Sequence, residues 1–296
     1  MDKGLTNEVD VLGLMEYIPN SSMPSANITP KSRPTVEENY NTNHKYRGLA
    51  LIFCNMEFQK ELKMPKRVAT EKDRDDICDA LKNLSFNVKV NNDLNKEEVQ
   101  KTLKEWSQAK HHIDNDCLVV VIMTYGGNGF VYAKDGKYEV DTLWKNFVGN
   151  ACPSLIGKPK IFFIQGWVLE GKKYNDVKDS SLKLKDCMAS EHQKPPFFIP
   201  TWADLLIMDN GPNTWEDDLT GSCLIQSLCK ELKEYDASCE LLTLLTNVIR
   251  RTIYGYTLSG SNNKPVQMPC MISMLTKSLY FIKKDNILDD RNSLKE

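Results

Sequence analysis

The sequence predicts an α/β fold with a mainly parallel central sheet flanked by helices, and three observations predict it. Short apolar runs recur at 48–54, at 117–123 and within 159–165, as expected of strands buried on both faces. Segments with apolar residues at helical spacing stand between them. Strand and helix alternate along the chain, which calls for crossover connections and a parallel sheet. The 296 residues are 41% hydrophobic and 26% charged, enough for a sizeable core. Basic and acidic residues number 38 and 40, for a net charge of −2. Bulk charge therefore gives no reason to expect nucleic-acid or anionic-membrane binding.

In chain order, residues 1–46 hold four of the thirteen prolines and no periodicity, and read as a flexible N-terminal peptide. The run 48–54 is the first buried strand. Residues 70–73 predict a helix start, with Ile77, Leu81 and Leu84 following on one face. Residues 86–90 alternate as a strand. Asn95 and Glu98 make a second cap, ahead of Val99, Leu103 and Trp106. The run 117–124 is a strand, and Asp135-Gly136 predicts a hairpin between 130–133 and 138–140. A helix is expected from Asp141, then a strand at 159–165. The polar stretch 169–196 breaks this rhythm, and a loop that long usually has a function. Residues 205–208 resume the sheet. Two helical patterns follow, through Leu224, Ile225, Leu228 and Leu232, then Leu241, Leu245, Val248 and Ile249. The apolar segment 271–282 ends the ordered chain.

Nine cysteines with no C-x-x-C pair sit mostly inside apolar runs. They read as buried, reduced thiols in a cytoplasmic protein, with no metal site and no cofactor. No apolar run approaches the roughly 20 residues of a membrane span, and the first thirty residues do not read as a signal peptide.

Several runs together carry a resemblance: Arg47 to Phe53, Asn92-Asp93-Leu94, Ser154 to Gln165, Ile225 to Cys229, and Pro269 to Phe281. Over about 46–283 the chain resembles the caspases. With its short N-terminal peptide it is most similar to effector caspases, and to insect ones. The resemblance implies one caspase fold over 47–283 with a six-stranded central sheet. A large-subunit-like region covers 47–179, an intersubunit linker 180–196 and a small-subunit-like region 197–296.

The resemblance also implies where the chemistry should lie. In the family a cysteine attacks the carbonyl after an aspartate, a histidine moves the proton, and two amides hold the oxyanion. At the histidine's place this sequence has Tyr125, and at the cysteine's place Trp167. A phenol titrates near pH 10 and an indole offers no nucleophile. The expectation is therefore a chain that is no enzyme, with Gly126 and Trp167 as the remnant oxyanion amides. Of the pocket that grips the substrate carboxylate, Arg67 and Gln165 match the family. Trp215 is kept, Glu216 stands in place of an arginine, and Cys223 in place of an aromatic. Glu216 could pair with Arg67 and close the pocket. Cys223 or Cys152 would have to serve as a substitute nucleophile, and none of the four histidines falls at the base position.

The family's last strand pairs with its twin, which assigns Ile272, Met274 and Leu279 to a dimer strand. Asp179, in Asp176-Val-Lys-Asp179, and Asp10, in Asn7-Glu-Val-Asp10, are candidate cleavage sites. The function expected is regulation of apoptosis-type proteolysis by binding an active effector caspase paralogue, more as activator than inhibitor. Self-pairing is the alternative partner choice. A decoy substrate, or a protein that titrates caspase inhibitors, is the alternative function, and a residual protease of altered specificity is a third.

Overall fold

Four strands with apolar middles lie parallel and set the frame. The structure, a computed structural model, describes residues 37–127, 129–167, 201–210, 216–217, 220–257 and 268–284. Its first half runs β1 (Tyr46–Cys54), α1 (Ala69–Asn83), β2 (Asn87–Asn92), α2 (Lys96–Trp106) and β3 (Asn115–Gly127). A hairpin of β4 (Phe130–Ala133) and β5 (Gly136–Glu139) precedes β6 (Lys160–Trp167). The second half runs β7 (Leu205–Asp209), β8 (Glu216–Asp217), β9 (Gly221–Ser222), α3 (Cys223–Lys233), α4 (Leu241–Thr257) and β10 (Cys270–Ser273).

The main sheet has the order β10-β7-β6-β3-β1-β2. Every pair along it is parallel except β10 with β7. The six strands match the number expected, and the β4–β5 hairpin, paired to the end of β3, makes eight. Alternate residues of β1, β3 and β6 feed two cores. One holds Val119, Val121 and Phe163 against Ile77 of α1, Leu228 of α3 and Leu245 of α4. The other holds Val120, Ile122 and Phe162 against Val99 and Leu103 of α2. Helices thus cover both faces. Among the described residues no helix is long and apolar enough to cross a membrane.

Local chemistry explains the start of α2. The cap at Asn95 forms, with Asn95 N–H donating to Glu98 Oε2 at 2.8 Å. Four expectations change. The helix read from 70–73 begins one residue earlier, at Ala69, without a side-chain cap, and Asp73 is buried and turned inward rather than capping. The helix expected from Asp141 is a short 3-10 turn, Val140–Leu143, followed by two more such turns. Pro153 and three turn-forming glycine and asparagine residues in this stretch do not sustain a longer helix.

The third change concerns residues 37–46, placed above with the flexible peptide. They pack along the C-terminal segment: Asn39 bridges Ser278, and Tyr40 is buried with its hydroxyl donating to Asp204 at 2.7 Å. Residues 1–36 lie outside the described residues, as does the linker 180–196. Fourth, the segment 271–282 is not one strand. The strand that pairs with β7 is Cys270–Ser273, and just past it Met274 N–H still donates to the Leu205 carbonyl at 2.8 Å. Beyond it the chain turns under α4, where Leu241 N–H donates to the Leu279 carbonyl and Leu279 is 1% exposed. Leu279 is therefore a core residue and not part of a dimer edge. Met274 lies just past the strand and is partly buried against the α2-side core. Ile272 alone of the three lies within β10.

Candidate functional site

The carboxyl ends of β3 and β6 stand side by side, the usual place for a site in a parallel sheet. In register, Met123 faces Gln165, Thr124 faces Gly166 and Tyr125 faces Trp167. Period-two alternation puts Tyr125 on the face of Met123, and Gln165 on the face of Phe163. Both therefore point toward the layer of α1 and α3. The two positions expected to replace the family's dyad are thus adjacent in the sheet. Trp167 is placed by its backbone, and its side chain lies outside the described residues.

Tyr125 is 1% exposed. Its hydroxyl donates to the Pro65 carbonyl at 3.1 Å. Its ring centroid is 5.1 Å from that of Phe58, and the Arg67 guanidinium carbon lies 5.4 Å from the ring. A cation over a tyrosine face at this distance is favourable. Arg67 is itself buried, and its backbone N–H donates to the Met56 carbonyl at 3.0 Å. The loop between β1 and α1 is thus laid against the end of β3. Gln165 is fully buried, and among the described residues neither its amide nitrogen nor its amide oxygen has a hydrogen-bond partner. Such a group costs free energy unless something completes it.

Two glycines keep the strand ends close. A Cβ on Gly126 would stand 3.2 Å from the Phe130 carbonyl oxygen and 3.4 Å from Gly166 Cα. Gly166 is gripped by Asn210, just past β7. Its N–H donates to Asn210 Oδ1 at 3.0 Å, and Asn210 Nδ2 donates to its carbonyl at 3.1 Å. The side-chain amide thereby stands in for a neighbouring strand. Asn210 is a positioning residue that sequence reasoning missed, because Asn210-Gly211-Pro212 reads only as a turn.

Cys223 is the first residue of α3 and is buried. Before it, β9 pairs with β8, with Glu216 opposite Ser222. This ribbon is anchored by Asp73, whose carboxylate accepts from Ser222 N–H at 2.9 Å and from Gln226 Nε2 at 2.9 Å. Gly221, at φ +87°, would bring a Cβ within 2.3 Å of Asp73 Oδ1, so only glycine fits. The Glu216 side chain, Trp215, Asp179 and Asp10 lie outside the described residues, and so does any pairing of Glu216 with Arg67. Cys152 is buried with its Sγ 3.6 Å from Ser154 Oγ, and burial pushes its thiol pKa up. His44, His111 and His112 lie at the amino ends of β1 and β3, away from Tyr125.

The caspase-domain family model matches residues 47–280, most of the chain. The chain belongs to the caspase family. It is 35% identical over 254 residues to Caspase-1 of Spodoptera frugiperda, covering 83% of this chain and 82% of that protein. It is 34% identical to Caspase drICE of Drosophila melanogaster, covering 83% of this chain and 73% of the relative. Against Caspase-6 of Mus musculus the identity is 35%, covering 86% and 96%. The crystal structure of the Spodoptera frugiperda Caspase-1 superposes with a TM-score of 0.71, covering 91% of this chain and all of that one at 34% identity. The caspase fold expected from the sequence is therefore shown.

These relatives also correct an expectation. Tyr125 and Trp167 at the dyad positions lead to the expectation of a chain that is no enzyme. Yet at about 35% identity its relatives are named caspases, and the matched family is one of peptidases. Family membership speaks for a cysteine peptidase, and the reading of a non-enzyme does not stand against it.

Proposed function

We propose that this caspase-family chain acts in apoptosis-type proteolysis by pairing, through β10, with an active effector caspase paralogue, and that pairing raises the partner's activity. The observation that carries the reading is the position of β10. It ends the sheet, bonded on one side to β7, and no strand covers its other side among the described residues. Met271 and Ile272 are only half-buried there, and Met268 is exposed. An open edge with apolar side chains favours addition of another strand.

The sheet offers a route from that edge to the strand ends. β10 bonds to β7 and β7 to β6, and Asn210 beyond β7 holds Gly166. A strand docked on β10 would stiffen β7 and, through Asn210, the carboxyl end of β6. The same holds for the equivalent strands of a related partner, which is why activation is favoured over inhibition.

Sedimentation of an equimolar mixture with an active effector caspase tests the pairing. A new species of summed mass is expected for the wild type. Ile272→Asp should keep the fold, since Ile272 is half-buried at an edge, and should abolish the mixed species by placing a charge in the seam. A mixture that sediments only as its separate components would refute the pairing.

A further inference from the structure

The amino ends of β1 and β3, at the opposite end of the sheet from Tyr125, carry an inference that does not rest on pairing through β10. There the segment 42–47 runs beside the segment 282–284. Two cations hold the buried Asp116 carboxylate: Arg47 Nη1 donates to it at 3.0 Å and Lys284 Nζ at 2.9 Å. The Arg47 side chain is 1% exposed and that of Lys284 15%. Two cations against one anion leave a positive charge in excess, and His44, with Nδ1 3.2 Å from Asp116, adds another when its ring is protonated. Carbonyl groups meet the remaining donors. Lys284 Nζ donates to the Thr42 carbonyl at 2.8 Å and to that of His44 at 2.6 Å, and Arg47 donates to those of Leu84 and Ile282. Carbonyls satisfy hydrogen bonds but bring no net charge, and an unbalanced charge held out of water is costly.

The cluster opens on a groove of about 270 Å³ between the two segments. Lys283 stands exposed on one wall, with Thr42 and Asn43 on the other. Its ammonium raises the excess to two positive charges. Ammonium groups are compact point charges that suit a tetrahedral oxyanion, and the planar Arg47 guanidinium is turned inward to Asp116. A phosphate monoester carries a charge of about −1.5 to −2 at pH 7, which matches that excess. We propose that this groove is an anion site that takes a phosphate group, with Lys283 in contact, Lys284 behind it, and the Thr42 and Asn43 side chains as further donors. A bound phosphate supplies the missing counter-charge and ties the segment 42–47 to the segment 282–284.

Calorimetric titration of the full chain with inorganic phosphate, at an ionic strength held constant with chloride, tests the site without any catalytic step. The wild type should bind one phosphate saturably. Lys283→Gln changes an exposed side chain and should weaken binding by about tenfold, the size of one charge-assisted hydrogen bond. Lys101→Gln, at an exposed lysine of α2, should leave binding unchanged. A parallel titration with adenosine monophosphate separates the sources of the group. Tighter binding than that of phosphate supports the site and gives its ligand as a nucleotide; equal binding supports it and gives the free ion. No saturable heat from either ligand at millimolar concentrations would overturn the proposal. So would binding that Lys283→Gln leaves unchanged, or that Lys101→Gln weakens equally.

Discussion

The Asp116 carboxylate, buried at the start of β3, accepts from Arg47 Nη1 at 3.0 Å and from Lys284 Nζ at 2.9 Å. It also accepts from the His44 backbone N–H at 3.1 Å. Arg47 is 1% exposed and spans onward to the Ile282 carbonyl and the ring of Phe281. One anion thus ties segments near both ends of the described chain to its central strand. Asp116→Ala leaves a buried cation without its partner, and should cost about 3–5 kcal/mol of stability in a urea titration. A loss below about 1 kcal/mol would show that the cluster is not held by this charge. His112 poses a different question. It is fully buried, its Nε2 donates to the Trp106 carbonyl at 2.7 Å, and burial pulls its pKa down to about 4. The folded state therefore keeps it neutral between about pH 6.5 and about 4, while the unfolded chain takes up a proton there. Stability contributed by His112 is complete above pH 6.5 and falls as the pH drops toward 4. Wild type should lose stability more steeply across that window than His112→Phe, and parallel slopes in the two proteins would contradict this.

At the scale of elements, the segment 37–46 works as a strap between the ends of the fold. Tyr40 donates to Asp204 at 2.7 Å and accepts from Thr276 N–H at 2.9 Å. Its removal as Tyr40→Phe leaves a buried carboxylate and an amide each one partner short. We expect a loss of about 1–3 kcal/mol by thermal or urea unfolding, and an unchanged midpoint would show that the strap is not structural. The strap was not legible in the sequence because prolines and polar residues dominate the first 46 positions, and the Tyr40 bonds reach Asp204 and Thr276, 164 and 236 positions away. The sheet was legible, because each of its central strands carries its own apolar run, and period and length decide such runs locally. The segment 271–282 misled for the same reason. Most of its residues are apolar, and only tertiary packing separates the four-residue edge strand from the part that turns under α4. The site was half legible: the sequence picked out Tyr125, Gln165 and Arg67, but nothing in it signalled that Asn210 clamps Gly166 or that Asp73 faces Ser222. Those roles are set by contacts across the fold, at separations where sequence spacing carries no information.

At the scale of the whole molecule, the sheet runs unbroken from the open edge at β10 to β2. The pairing reading makes that edge the regulatory surface. The most direct measurement adds the purified chain, in rising amounts, to a limiting quantity of an active effector caspase and follows the initial rate on a peptide with aspartate before the cleaved bond. The chain alone runs beside it, which also reads its own peptidase activity. A rate that climbs and saturates beyond the sum of the two components, and that stays flat with Ile272→Asp, is the result predicted. A rate that equals that sum at every concentration, or that changes equally with Ile272→Asp, would contradict regulation through β10.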